Sequence, residues 1–157
     1  MITLLPRTAE HVRIYFERTR DPEISRMLPS AAATLDDALR MFERTLLPGA
    51  DSLGRTIHLD GRYVGDIWCY GISPAETPNA MLSFCIFEKK LWGRGVCSAA
   101  VSQFLPLIKD ALALKSIGAF TFAENLPSAA VLRKNGFLLK ERFTEDGVDS
   151  LYFERLL

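Results

Sequence analysis

The amino-acid sequence predicts one mixed α/β domain over residues 1–157, with a central, largely antiparallel sheet of about seven strands and about four flanking helices. A chain of 157 residues fits one domain and can bury a core without disulfides or metals. Its 48% hydrophobic and 24% charged residues are typical of globular proteins. Short apolar runs of strand length alternate with segments in which apolar residues recur at helical spacing, which is the pattern of a mixed α/β domain.

The first half of the chain is expected to hold one strand, two helices and then a hairpin. Thr8 and Thr34 are good helix N-caps, because a side-chain oxygen there accepts an otherwise free backbone N–H. Asp21-Pro22 breaks the first helix or opens a new turn, and Asp60-Gly61 is typical of a tight hairpin turn. We therefore expect strands at 2–5, 55–59 and 63–70, and helices that follow Thr8 and Thr34.

The second half contains a strand–helix–strand unit and a C-terminal hairpin. A strand over 80–87 precedes a helix from Val96 to about Leu114, and a strand over 117–123 follows. Such a unit makes its two strands parallel, with a right-handed crossover. Pro106 lacks a backbone donor within the helical pattern, so we expect a kink or an interruption there. The order ends with a helix over 125–135 and strands over 137–143 and 150–156.

Charge and cysteine content argue against several classes of function. A formal net charge of zero gives no support to binding of nucleic acid or of a membrane surface. No apolar run approaches the roughly 20 residues needed to span a bilayer. Cys69, Cys85 and Cys97 cannot all pair within one chain and show no metal-binding spacing. We therefore expect a cytoplasmic protein with no metal and with neither nucleic acid nor membrane as a partner.

A loop with two glycines lies between the fourth predicted strand and the helix after it. Gly93 and Gly95 permit unusual dihedral angles and let a ligand approach the backbone. Free N–H groups at the helix start favour an anion, and Lys89, Lys90 and Arg94 add positive charge. A turn that only connects two elements is the alternative interpretation. The string GxxxxGK[ST] is absent and no third glycine completes GxGxxG, so neither a Walker loop nor a dinucleotide fingerprint fits.

Two stretches of sequence carry a resemblance to a known family. Trp92-Gly93-Arg94-Gly95-Val96-Cys97 is similar to the [Gln/Arg]-x-x-Gly-x-[Gly/Ala] signature of the GCN5-related N-acetyltransferases. Asn125-Leu126-Pro127-Ser128, followed by Asn135-Gly136-Phe137, resembles their Asn-x-x-Ser…Gly-Phe segment. The chain looks most like the branch of ribosomal-protein N-terminal acetyltransferases, in which tryptophan commonly precedes the glycine. Trp92 at the Gln/Arg position and Cys97 at the small-residue position depart from the general signature.

The resemblance implies an acetyl-CoA-dependent N-acetyltransferase. It implies acetyl-CoA as cosubstrate and a primary amine, on a protein or peptide N-terminus or a small molecule, as acceptor. The loop amides would bind the pyrophosphate of the coenzyme, and the preceding strand would pair with the pantetheine arm and polarise the thioester carbonyl. Arg133 or Lys134 would meet a coenzyme phosphate. The residues thereby implied to bind the coenzyme are Cys85, Ile86, Phe87, Trp92, Gly93, Arg94, Gly95, Val96, Cys97, Ser98, Asn125 and Arg133.

The implied reaction is direct attack of a neutral amine on the thioester, after which the leaving thiolate needs a proton. Many members of the family carry a tyrosine where this chain has Leu132, so Ser128 is the expected catalytic acid, directly or through water. A serine that only caps its helix is the alternative. No general base is evident, and the candidates by residue type are Glu124, Glu88, Asp66 and His58.

Two other functions stay open at this point. The missing tyrosine and base also fit a non-catalytic coenzyme-A-binding sensor or regulatory module. An interaction domain with an idle glycine loop is the third interpretation. The final strand can pair between subunits, so a homodimer is possible.

Overall fold

The computed structural model describes residues 1–28 and 32–157. In this part of the chain a seven-stranded mixed sheet carries five α-helices in a single domain, which confirms the predicted fold class. The strands are β1 (Ile2–Leu5), β2 (Leu53–Leu59), β3 (Arg62–Ser73), β4 (Asn79–Ile86), β5 (Ser116–Phe122), β6 (Leu138–Glu145) and β7 (Val148–Leu156). The helices are α1 (Ala9–Arg18), α2 (Pro22–Ser25), α3 (Leu35–Thr45), α4 (Val96–Leu112) and α5 (Leu126–Lys134), with a 3-10 turn at Lys89–Leu91. No helix among the described residues has the length and apolar character needed to cross a membrane.

The strands lie in the order β1-β2-β3-β4-β5-β7-β6. Strands β4 and β5 are parallel, as the sequence predicts, and the other neighbouring pairs of this sheet are antiparallel. Helix α4 connects the two parallel strands and buries Ala100, Phe104 and Ile108. The C-terminal ends of β4 and β5 therefore lie at the same edge of the sheet, next to the loop that leads into α4.

Strands β4 and β5 pair over only part of their length. The register joins Asn79–Met81 to Ser116–Gly118, whereas β4 continues to Ile86 and β5 to Phe122. Strand β4 stays paired with β3 over the same stretch, since Ile86 lies opposite Gly65. A gap therefore opens between β4 and β5 in the middle of the sheet.

The two faces of the sheet have different covers. Leu82 and Ile86 of β4 belong to the main core beneath α4. Side chains alternate along a strand, so Ser83 points the other way, as does Trp68, its partner in β3. Trp68 contacts Tyr15 of α1, with ring centroids 6.2 Å apart. We call the side of Leu82 and Ile86 the α4 face, and the side of Trp68 the α1 face.

The sequence predicts a kink or an interruption at Pro106, and helix α4 runs from Val96 to Leu112 without an interruption. Proline at this position leaves the carbonyl of Ser102 without its helical N–H partner. Pro106 and Ser102 are both exposed, so water can hydrate that carbonyl. The apolar side of the helix, which includes Phe104 and Ile108, stays in the core.

The helix count exceeds the expected four because Asp21 opens a separate short helix, α2. The Asp21 carboxylate accepts the Glu23 N–H at 2.9 Å. Pro22 occupies the first turn, where a missing N–H has no helical acceptor to lose. The structure thus resolves the choice between a break and a new turn in favour of a new helix.

Candidate active site

A cavity of about 660 Å³ occupies the gap between β4 and β5. Its volume is in the range of small-molecule sites. Its lining extends from the glycine loop, α4 and α5 to residues of α2 and β6. Ten of the predicted site residues line it: Cys85, Ile86, Trp92, Gly93, Gly95, Val96, Cys97, Ser98, Asn125 and Ser128.

The glycine loop presents backbone N–H groups at one end of this cavity. Gly93 and Gly95 have φ of 75° and 80°, which other residues rarely adopt, and open space surrounds each Cα. The glycines therefore serve the backbone conformation rather than relieve crowding. The amides of Gly95–Ser98 donate to no acceptor among the described residues. A helix start with free donors is an anion site.

Trp92 fastens the loop to the end of β4. Its indole N–H donates to the Ile86 carbonyl at 2.8 Å. This bond gives a physical reason for tryptophan at the signature position, because it fixes where the loop leaves the strand. The loop amides and the free edge of β4 are thereby held in one relative position.

Helix α5 forms a side of the cavity and is joined to the start of α4. The Asn125 Oδ1 accepts the Ser128 N–H at 3.2 Å, so Asn125 caps the helix. The Ser128 hydroxyl makes no hydrogen bond to a described residue, although the residue lines the cavity. Farther along, Asn135 Nδ2 donates to the Ser98 hydroxyl at 3.1 Å. This second bond holds the C-terminal end of α5 against the first turn of α4.

The amino-acid sequence matches a family over most of its length. The Acetyltransferase (GNAT) domain matches residues 2–138. The chain belongs to the GNAT acetyltransferase family. The predicted family is thereby confirmed, and with it the predicted class of enzyme, an acetyl-CoA-dependent N-acetyltransferase.

Solved structures of low sequence identity share the fold. Spermidine N-acetyltransferase from Vibrio cholerae, in complex with CoA and spermine, is 13% identical with a TM-score of 0.87, covering 99% of this chain and 95% of that one. RimL ribosomal L7/L12 α-N-protein acetyltransferase, in complex with coenzyme A, is 15% identical with a TM-score of 0.84, covering 99% and 94%. Aminoglycoside acetyltransferase AAC(6')-Ib, in complex with coenzyme A, is 16% identical with a TM-score of 0.81, covering 99% and 95%. A comparison with curated proteins found no match.

Phe87, which was expected to contact the pantetheine arm, lies outside the cavity lining of this acetyltransferase. Its N–H already donates to the Val64 carbonyl at 3.0 Å. Its buried ring packs edge-on against Tyr63 with centroids 5.0 Å apart. The structure therefore offers Cys85 and Ile86 at this end of β4 and leaves Phe87 in the packing of the α1 face.

Two predicted arginines also lie outside the lining. The Arg133 guanidinium stacks over the Phe153 ring at 5.3 Å from its centroid. Lys134, the alternative phosphate ligand, does line the cavity. Arg94 is exposed beyond the lining, between two glycines that aim the backbone instead of the side chain into it.

Of the four candidate bases, only Glu124 lines the cavity of the acetyltransferase. Glu88 forms an ion pair with Arg18, which holds the pKa of that carboxyl below its usual range. His58 is buried, and its Nε2 lies 3.0 Å from the Thr56 hydroxyl. Neither Glu88 nor His58 reaches the gap, so geometry leaves Glu124 as the candidate.

Asp66 belongs to a buried network rather than to the cavity. It is 1% exposed, pairs with Arg7 at 2.9 Å and accepts the Tyr63 hydroxyl at 2.7 Å. Burial raises the pKa of Asp66 to about 6, while the Arg7 guanidinium acts in the opposite direction. Asp66 lies opposite Cys85 in the β3–β4 ladder, so this network supports the strand that borders the gap.

Two thiols line the cavity. Burial raises the pKa of Cys85 and that of Cys97 to about 12. Both thiols are therefore protonated near neutral pH and are poor nucleophiles. No group of three or more His, Cys, Asp or Glu side chains within residues 1–28 and 32–157 is placed to hold a metal ion.

Sequence reasoning missed the part of the cavity on the α1 face. Its lining there includes Glu23, Ile24 and residues 26–28, together with Tyr70, Phe120 and Phe143. The sequence did not identify Phe120 as a cavity residue, because apolar residues occupy both sides of β5. Its place beside β6 depends on strand pairing that no local pattern specifies.

Proposed function

We propose that this protein transfers the acetyl group of acetyl-CoA to a primary amine. The observation that carries the proposal is the row of free amides, Gly95–Ser98, at one end of a cavity that passes through the sheet. These amides suit the pyrophosphate of the coenzyme. The unpaired edge of β4 suits its extended pantetheine arm, which can add to a sheet as a strand does. The spermidine and ribosomal-protein acetyltransferases of the same fold hold coenzyme A in their structures.

One wall of the cavity fits the coenzyme. We name the loop 92–98 together with Asn125 and Ser128 the coenzyme wall. Acetyl-CoA supplies the activated acetyl group there. The Lys134 ammonium, which also lines the cavity, would meet a phosphate of the coenzyme, and the backbone of Cys85 and Ile86 borders the gap.

The chemistry needs a donor for the departing sulfur and a neutral amine. The Ser128 hydroxyl has no hydrogen-bond partner within residues 1–28 and 32–157 and serves as the acid, directly or through water. An α-amino group titrates at about 8 and needs little help from a base. For more basic amines, Glu124 is available as the base. The protonated Cys85 and Cys97 thiols support direct transfer, because neither competes with the amine for the acetyl group.

A thiol-release assay tests the proposal. Acetyl-CoA and a panel of primary amines, comprising peptides, polyamines, aminoglycosides and aromatic amines, are incubated with the protein. We expect free coenzyme A thiol together with the N-acetylated amine, identified by mass spectrometry. The absence of thiol release above background hydrolysis with every amine would overturn it.

A second candidate is a coenzyme-A-binding module without turnover. It is favoured by Leu132, which is 1% exposed in the core where many relatives carry a tyrosine hydroxyl. This candidate predicts saturable thermal stabilisation by acetyl-CoA with no product from any amine. Thermal melting and the thiol assay on one protein sample separate the two functions.

Assembly and location are proposals of the same kind. Strand β6 is an edge strand with Leu138 and Leu139 exposed, which supports pairing between two copies of the chain. Light scattering at several protein concentrations tests for a homodimer. Three free cysteines support a reducing, cytoplasmic location.

A further inference from the structure

Aromatic side chains of the C-terminal half meet on the α1 face of the sheet. Ala119 of β5 belongs to the core beneath α4, so its neighbour Phe120 points to the opposite face. Phe120 lies opposite Tyr152 of β7, and Phe143 of β6 lies opposite Ser150. Ser150 and Tyr152 are two residues apart, so these four side chains share one face.

Phe120 is placed as a contact surface rather than as core. It is 52% exposed although it lies in the middle of the sheet, and it lines the cavity together with Phe143. Its ring meets Phe143 edge-on at 5.8 Å and Tyr152 at 5.0 Å. A rigid aromatic surface that is open to a cavity favours an aromatic or apolar ligand group.

The same face of the C-terminal hairpin is acidic. The register places Glu141, Glu145 and Glu154 on the side of Tyr152. Arg142 and Arg155 each pair with a core residue and therefore point to the α4 face. The charge of this surface thus suits a cation.

Two carboxylates reach the cavity without a counter-ion. Glu124 and Glu145 line it and form no ion pair with a described residue. Glu23 also lines it but lies 3.5 Å from the Lys89 ammonium. Two cationic side chains line the cavity as well, Arg26 directly after α2 and Lys134 at the end of α5. With Lys134 assigned to a phosphate of the coenzyme, two carboxylates and one arginine remain for the acceptor, which favours an acceptor that carries an ammonium and no carboxylate.

The space available favours a small acceptor. The cavity of about 660 Å³ must hold the pantetheine arm as well as the acceptor. We name Phe120, Phe143 and Glu145 the acceptor wall. Phe120 and Phe143 line the same cavity as Cys85 and Ser128, so a ring on the acceptor wall, joined by a short chain to an amine, would share one space with the acetyl group.

Resting on the proposed N-acetyltransferase function, we infer that the acceptor is a small primary amine joined by a short carbon chain to an aromatic ring. The acidic surface attracts the ammonium form, which loses one proton to Glu124 or water before reaction. The neutral nitrogen attacks the acetyl carbon, so the C–N bond forms and the C–S bond breaks. The sulfur leaves with the electron pair and takes one proton from Ser128 or water, and the nitrogen releases its extra proton to Glu124 or water, giving the N-acetyl amine and the free coenzyme thiol.

Matched amines test the inference by initial rates. Phenethylamine carries the ring, n-hexylamine has a similar length without it, and spermidine is a polyamine. We expect kcat/KM for phenethylamine to exceed that for the other two by about five- to tenfold. In Phe120→Ala and Phe143→Ala we expect this preference to disappear, because KM for phenethylamine rises while kcat stays the same. Leu139→Ala, on the same strand but on the α4 face, keeps the preference.

The outcomes separate this inference from the proposed function. If n-hexylamine or spermidine reacts as well as phenethylamine, the aromatic acceptor is overturned and the transferase stands. A peptide with N-terminal phenylalanine that reacts far better than phenethylamine overturns the small acceptor.

If no amine releases thiol, calorimetry with phenethylamine and coenzyme-loaded protein decides. Saturable binding that weakens in Phe120→Ala supports the acceptor wall, and no binding overturns it. Unchanged melting of each variant confirms that it is folded.

Discussion

The coenzyme wall consists mainly of backbone, whereas the acceptor wall consists of side chains. The first is contiguous in sequence, because the amides of Gly95–Ser98 follow directly from a strand, a loop and a helix start. The second joins Phe120 of β5 to Phe143 and Glu145 of β6, which are neighbours of β7 in the sheet but distant from each other along the chain. Backbone donors do not depend on the side chains around them, so the coenzyme site tolerates substitution while the acceptor site can change with single residues.

The largest expected effect comes from the backbone of the coenzyme wall. Gly95→Val places a β-branched residue at a φ of 80°. Strain of about 1–3 kcal/mol is relieved when the loop changes shape and its amides turn away, so coenzyme affinity falls by about 10- to 100-fold. Calorimetric titration with coenzyme A measures this.

Gly147→Val is the matched control, since Gly147 has a φ of 78° and equally open surroundings in the β6–β7 turn. It carries a similar strain and should keep its coenzyme affinity. Equal losses in both variants would show that strain alone lowers the affinity.

Ser128→Ala separates binding from chemistry. We expect kcat to fall by about tenfold, less than the roughly 100-fold typical of a general acid, because water can enter the cavity. Coenzyme affinity should stay the same, since the capping bond uses the Ser128 N–H and not its hydroxyl. Initial rates with a saturating amine give kcat, and Ser102→Ala, at an exposed position of α4, serves as the control. An unchanged kcat would leave Ser128 as a capping residue only.

Trp92→Phe tests the bond that fastens the loop to β4. It removes the indole donor to the Ile86 carbonyl and keeps most of the ring. The loss of one hydrogen bond should weaken coenzyme binding by about three- to tenfold. Trp68→Phe, on the α1 face, should leave coenzyme affinity unchanged in the same titration. A Trp92→Phe protein with full affinity would show that the loop holds its shape without this bond.

The smallest effect distinguishes two adjacent cations. Lys134 lines the cavity, whereas Arg133 stacks on Phe153. Lys134→Ala should weaken coenzyme binding by about threefold at low salt, and high salt should abolish the difference. Arg133→Ala should leave the affinity unchanged and lower the melting temperature slightly through lost packing. The reverse result would place the phosphate on the other side of α5.

Local signals predicted most of the fold and the coenzyme wall. Thr8 and Thr34 cap their helices, and Asp60-Gly61 closes its hairpin, because each of these features depends on a few neighbouring residues. The glycine loop was found for the same reason.

Features that depend on distant partners were not predicted. Phe87 and Arg133 pack on Tyr63 and Phe153, and no local pattern shows which side of a strand end or helix faces a gap. Helix α4 continues through Pro106 because this residue is exposed to water, and tertiary packing decides which residues are exposed. Phe120 lies at the cavity because β5 pairs with β7, and no local pattern predicts that pairing.

The short ladder between β4 and β5 makes the protein a sheet of two halves. Three residue pairs, Asn79–Met81 with Ser116–Gly118, join the halves directly. An extended pantetheine arm paired with β4 would act as an eighth strand of the sheet. This strand would be present only while the cosubstrate is bound. Amide hydrogen exchange over Leu82–Ile86 and Ala119–Phe122 should therefore slow markedly when coenzyme A is added, which couples local rigidity to the catalytic cycle.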